Sequence, residues 1–100
     1  MAPHGYVYIL ASKRNGTLYI GVTSNMTKRL WQHQNNSFKG FTQQYGVKTL
    51  VHMEQYPSMD QAIAREKAMK KWRRKWKIDL IEKNNPSWND LLTGFPLSRE

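Results

Sequence analysis

Tyr8, Tyr19, Arg29, His33 and Glu66 are the residues of this chain whose types and spacing suit chemistry. Phenols, a guanidinium and an imidazole can hold a phosphate or exchange protons beside it. Arg29 and His33 stand four residues apart, neighbours on one helical face. Glu66 lies four residues after Ala62 and three before Met69, on the apolar stripe of a helix. An inward carboxylate is costly unless it is paired or bound to a metal. Two readings fit that position equally: a cation ligand, or an i, i+4 pair with Lys70 worth a few tenths of a kcal/mol.

The elements that must position these groups follow from pattern. Asn15-Gly16 separates two tyrosine-bearing, strand-like runs, residues 6–11 and 18–23. That arrangement predicts a hairpin with a two-residue turn. The turn would pair Arg14 with Thr17, Ser12 with Tyr19 and Tyr8 with Thr23, and put both phenols and Gly21 on one face. A lone strand glycine such as Gly21 marks close approach by a ligand or another backbone. In this register the phenols are four strand positions apart, roughly 13 Å at about 3.3 Å per residue. A bulge or longer loop that slips the register by an even number keeps the shared face and can bring them together.

Ser24 or Asn25 can cap the helix that follows. Met26, Leu30 and His33 form its stripe, with Arg29 at the border. Residues 35–46 form a polar stretch with Phe38, Phe41 and Tyr45 spaced through it, in which Phe41 and Tyr45 are expected to pin the loop and Lys39 is a candidate phosphate contact. A third strand is predicted over 47–56, with Val47, Thr49, Val51 and Met53 alternating against Lys48, Leu50, His52 and Glu54. Pro57 ends it, and Ser58-Met59-Asp60-Gln61 opens a helix with a capping-box pattern. Trp72, Trp76 and Leu80 fall at i, i+4, i+8 and read as core. A further helix runs to about Glu82, and Pro86 can begin a short final helix capped by Asn85. Residues 1–5 read as a loose leader and 94–100 as a tail.

One hundred residues suit a single domain. No apolar run reaches the ~18 residues of a membrane span, and the N-terminus lacks the pattern of a signal peptide. The chain has no cysteine, which excludes disulfides and thiolate metal sites. A cytoplasmic protein is expected. The formal charge of +9 points to a polyanion. Residues 65–77 hold Arg65, Lys67, Lys70, Lys71, Arg73, Arg74, Lys75 and Lys77, half of all the basic residues, with Trp72 and Trp76 between them. Lys70, Lys71, Arg73 and Arg74 are the candidate contacts to a phosphate backbone.

Taken in order, these residues resemble the GIY-YIG nuclease superfamily, most closely its small stand-alone bacterial members, and also the N-terminal nuclease domain of the bacterial excision-repair endonuclease. The signatures appear as Tyr6-Val7-Tyr8 and Tyr19-Ile20-Gly21, followed by Arg29, His33, Glu66 in AIAREKAMKKW and Asn85 in NNPSWNDL. The likeness runs from about residue 5 to 93. Tyr6 replaces the first glycine of the family pattern, at a strand position rather than a reacting one. The resemblance implies an α+β fold, a small central antiparallel three-stranded β-sheet flanked by helices. The β-β-α-β-α-α order read above agrees with it.

The resemblance also implies hydrolysis of phosphodiesters, usually in DNA, with one divalent cation, Mg²⁺ or Mn²⁺. Glu66 would be the metal ligand, and Arg29 would oppose transition-state charge. One tyrosine, with Tyr8 preferred, would help deprotonate water if nearby cations favoured phenolate. Tyr19 would orient water or phosphate, and His33 would bond a tyrosine or move a proton. Gly21 and Asn85 complete the site, although Asn85 also reads as a helix cap. A chain this short leaves no room for a recognition domain, so a substrate chosen by structure rather than sequence is expected. A nucleic-acid-binding module that does not cut alone is the competing reading. A partner-docking protein whose charge serves solubility is a third, disfavoured by the complete polar set.

Overall fold

The computed structural model describes residues 4–34 and 46–91. Their elements are β1 (Gly5–Ala11), β2 (Leu18–Thr23), α1 (Met26–Gln34), β3 (Thr49–Tyr56), α2 (Met59–Lys70) and α3 (Arg74–Asn84). The strands form one antiparallel sheet in the order β2-β1-β3. This is the expected α+β architecture, in the expected element order. Gly5 already pairs with Tyr56 in the sheet, so β1 starts inside the segment read as leader. Residues 94–100 and the stretch around Lys39 lie outside the described residues. No helix among the described residues is long and apolar enough to cross a membrane.

Central β1 is apolar on both sides, and Val7 to Ala11 are wholly buried. One face carries Val7, Ile9 and Ala11, which pack with Ile20 and Val51 beneath Ala62 and Met69 of α2 and Ile81 of α3. The other face carries Tyr8 and Leu10, which pack with Met26 of α1, Val47 and Leu50. Helices on both sides remove the central strand from water, which is the main stabilising contribution of the fold.

Three expectations need correction. The two-residue turn is absent: Tyr8 faces Gly21 and Leu10 faces Tyr19, a slip of two residues. A tight type I′ turn needs positive φ at both central residues. Asn15 has φ 59°, but Gly16 does not share the left-handed conformation. The chain instead closes a wider loop, with Ser12 N–H on the Thr17 carbonyl at 3.0 Å and Thr17 N–H on Ser12 Oγ at 2.9 Å.

The alternation along β3 is also broken. A bulge where Ile9 faces His52 and Leu10 faces Leu50 leaves Val51 on the Val7 face, while Val47 and Met53, expected on its side, pack with Leu50 on the Tyr8 face. Finally, Trp76 is 52% exposed rather than core. The helical run stops at Lys70 and restarts at Arg74, so Trp72 and Trp76 do not share one helix and their i, i+4 relation lapses. Their rings meet edge to face at 6.3 Å instead.

The helices are fastened by polar contacts as well as burial. Ser58 Oγ accepts the Gln61 N–H at 3.3 Å and caps α2, as its sequence predicts. Arg65 of α2 donates twice to Glu54 of β3, at 2.9 and 3.1 Å, and lies over the Trp72 ring at 4.8 Å. Burial pushes the Glu54 carboxyl up, but hydrogen bonds from His52, Arg65 and Tyr56, with the Arg65 charge, outweigh it and hold it at about 2.

Candidate nuclease site

The two-residue slip builds the site. With Tyr8 opposite Gly21, Tyr19 becomes its diagonal neighbour on the same face, and the ring centroids lie 6.3 Å apart. Gly21 is obligatory for a visible reason. A Cβ there would stand 3.0 Å from Tyr8 Cε1 and closer still to Cζ and the hydroxyl. The close approach at Gly21 is therefore made by a side chain, the Tyr8 ring, where a ligand or another backbone was expected.

Helix α1 delivers the guanidinium. Asn25 Oδ1 accepts the Lys28 N–H at 3.0 Å, and Thr23 Oγ1 accepts the Asn25 N–H at 3.1 Å, which fixes the helix directly after β2. Met26, 3% exposed, anchors the first turn in the Tyr8 cluster. Arg29, three residues on, therefore faces the same way, and its side chain hydrogen-bonds the Tyr8 hydroxyl, which also bonds Tyr19. Burial pushes the Tyr8 phenol well above its ordinary value. Tyr19 adds to the rise, and the charge and hydrogen bond of Arg29 oppose it without cancelling it. Tyr8 is thus a neutral phenol at neutral pH, and Arg29 alone does not make it the phenolate base that the sequence reading preferred. His33 lies on the same helix, and its side chain is outside the described residues.

Glu66 is buried, 8% exposed, on the stripe of α2 with Ala62 and Met69. That stripe packs against the sheet face opposite Tyr8. The two halves approach at β2, which is an outer strand of the sheet. A cleft of about 220 Å³ there is lined by Leu18, Tyr19, Ile20, Lys70 and Lys77, and Lys70 is ion-paired with Glu66. Glu66 is inward, as its stripe predicts, and the pair with Lys70 that its spacing allows is formed. Among the described residues its carboxylate pairs with Lys70 alone, and one oxygen has no protein donor. Such a lone hard oxygen suits Mg²⁺, which keeps several waters and needs few protein ligands. No trio of His, Cys, Asp or Glu that would cage a metal occurs among the described residues.

The remaining candidates separate. Asn85 is a bracket, 6% exposed. Its amide donates to the Val51 carbonyl at 3.1 Å and the Asn89 carbonyl at 2.9 Å, and its oxygen accepts the Asn89 N–H at 3.0 Å. It closes the turn after α3 against β3, where a short final helix was expected. Arg74 donates to the carbonyls of Asn15 and Gly16 at 2.7 and 2.6 Å, so it holds the β1–β2 loop. Arg73 lies 5.9 Å from the Trp76 ring, and Lys71 is exposed. Three cleft residues were not among the candidates picked from the sequence, although Lys77 belongs to the basic segment 65–77. Lys77 lines the β2 cleft, and Lys28 and Gln32 line a polar cleft of about 370 Å³ with Thr23, Ser24, Asn25 and Arg29. Lys28 and Gln32 sit at i, i+4 beside Arg29, a spacing that could have flagged them.

A small antiparallel sheet whose paired tyrosine strands present phenols to a guanidinium on the next helix defines a class, that of the GIY-YIG nucleases. Residues 4–79 match the family described as the GIY-YIG catalytic domain, and the chain belongs to that family. It is 38% identical over 80 residues to a UPF0213 protein of Syntrophus aciditrophicus, covering 79% of this chain and 91% of that one. A UPF0213 protein of Staphylococcus haemolyticus is 35% identical over 82% of this chain and 98% of its own length. The solution NMR structure of a UPF0213 protein from Bacillus halodurans is similar too, with a TM-score of 0.55 and 27% identity over 86% of this chain and 90% of that one. The family makes the chain a member of a nuclease superfamily, with nucleic acid as the implied substrate.

Proposed function

We propose that this chain is a divalent-metal-dependent endonuclease that hydrolyses phosphodiester bonds in DNA, directed by structure rather than sequence. The observation that carries the reading is the Tyr8–Tyr19–Arg29 cluster over Gly21, beside a cleft at β2 lined by Tyr19 and by Lys70, the ion-pair partner of Glu66. Arg29 offers a planar pair of donors to a phosphate and opposes the charge of its transition state. Tyr19, at the cleft, orients the phosphate or the attacking water. Tyr8, fully buried, holds Arg29 and Tyr19 in place through its hydroxyl. Glu66 would hold Mg²⁺ or Mn²⁺, which when bound polarises the phosphate and lowers the pKa of its water. The cationic surface, with Lys70 and Lys77 at the cleft and Lys71 exposed, supplies sequence-independent affinity.

The test is a panel of labelled duplex, branched and single-stranded nucleic acids incubated with Mg²⁺, Mn²⁺ or EDTA. Metal-dependent cleavage that Glu66→Gln abolishes, with duplex binding retained, is the expected result. The binding-module reading draws on the protonated Tyr8, which offers no ready base. Metal-independent binding without any cleavage by the parent chain would decide for it.

A further inference from the structure

Glu66 and Lys70 pose a conflict that the proposed function leaves open. The carboxylate suited to a divalent cation already holds a cation, the Lys70 ammonium one turn along α2. Both cannot share one small carboxylate without mutual repulsion. The two partners differ in freedom. The Glu66 side chain is 11% exposed and fixed on the buried stripe, whereas the Lys70 side chain is 54% exposed. Lys70 has a flexible four-carbon stem and somewhere to go: it lines the cleft with Tyr19 and Lys77 where a substrate phosphate would lie.

Resting on the nuclease reading above, we propose that Lys70 is a positioning residue that couples cation binding to phosphate binding. In the free protein Lys70 neutralises the buried Glu66 carboxylate, which would otherwise be costly to bury. When a nucleic-acid phosphate enters the cleft, Lys70 turns to it and leaves Glu66 open to the divalent cation. The free chain therefore binds metal weakly and the nucleic-acid complex binds it well. By linkage the metal strengthens nucleic-acid binding by the same factor. Lys77, which also lines the cleft, has no carboxylate partner of this kind among the described residues and contributes charge without the coupling.

The experiment needs no turnover. Mn²⁺ is titrated into the full chain without nucleic acid and followed by electron paramagnetic resonance, for the parent, Lys70→Met, Lys70→Arg and Glu66→Gln. Affinity for a labelled blunt duplex is then measured in EDTA and in Ca²⁺. Lys70→Met is expected to bind Mn²⁺ about three- to tenfold more tightly than the parent, the scale of a partly screened ion pair removed together with a like charge. Lys70→Arg, which keeps the charge, is expected to bind no tighter than the parent. The gain in duplex affinity from EDTA to Ca²⁺ is expected to be large for the parent and small for Lys70→Met. A merely structural Lys70 would move neither readout. Unchanged or weaker Mn²⁺ binding by Lys70→Met, with Glu66→Gln still losing it, overturns the coupling and leaves the nuclease reading intact. Absence of Mn²⁺ binding in parent and variants alike overturns the metal reading, and the coupling with it.

Discussion

Gly21→Ala tests the centre of the site with one methyl group. The new Cβ would stand within 3.0 Å of Tyr8 Cε1, with Cζ and the hydroxyl nearer still. Tyr8 is wholly buried, so its ring has no solvent to swing into. It must press into Leu10, Met26 and Leu50, or give up its bonds to Arg29 and Tyr19. Overpacking of this kind costs about 1–3 kcal/mol. Urea unfolding should show that loss as a lower midpoint with an unchanged slope. Displacing the groups by about 1 Å should also lower turnover on the order of 10²-fold, with duplex affinity nearly constant. The cause is separable by a double-mutant cycle with Tyr8→Leu, whose shorter side chain ends before the overlapping atoms. In that background Gly21→Ala should cost less than about 0.5 kcal/mol, a coupling of about 1–3 kcal/mol. If Gly21→Ala is as stable as the parent, or costs the same in both backgrounds, the account of Gly21 as the floor beneath Tyr8 is wrong.

Arg29→Lys keeps the charge but loses the planar donor pair, so turnover should fall on the order of 10²–10³-fold while duplex affinity changes little; equal turnover removes the phosphate role from Arg29. Asn85→Ala should destabilise the fold by about 2–3 kcal/mol through its buried bonds to Val51 and Asn89, and metal affinity should not change; a loss of Mn²⁺ binding in a folded variant would instead return Asn85 to the site. Glu54 has its carboxyl lowered from 4.5 to about 2, so its contribution is complete above about pH 4.5 and disappears as pH falls toward 2. Acid unfolding of the parent should therefore show a loss on the order of 2 kcal/mol across that window that Glu54→Gln lacks, and matching acid limbs would refute it.

Much of this was readable without coordinates because it depends on local or periodic rules. The period-two runs around Asn15-Gly16, the cap at Ser58 and the stripe bearing Glu66 specify a hairpin, a helix start and an inward carboxylate from neighbours a few residues away. The types at Tyr8, Tyr19, Arg29 and Glu66, in order, were enough to resemble the nuclease family that residues 4–79 match. The role of Asn85 was not readable, because its amide bonds Val51, which is 34 residues away in the chain. Nor was the use of Arg74, whose guanidinium meets carbonyls of a loop 58 and 59 residues earlier.

The sequence by itself determined which face of the hairpin carries both phenols, since parity survives any even slip of register. How far apart they stand was decided only in three dimensions. Gly16 does not take the positive φ that a type I′ turn requires, the loop is wider, Tyr8 settles over Gly21 and the Tyr19 ring centroid lies 6.3 Å from that of Tyr8. The fate of the Glu66 charge was likewise a tertiary matter. Spacing left a metal ligand and a lysine pair equally open, and only the packing of α2 beside β2 puts Lys70 of that pair at the cleft shared with Tyr19. A stripe says which side of a helix is buried, whereas what lies across from it depends on how the helix crosses the sheet.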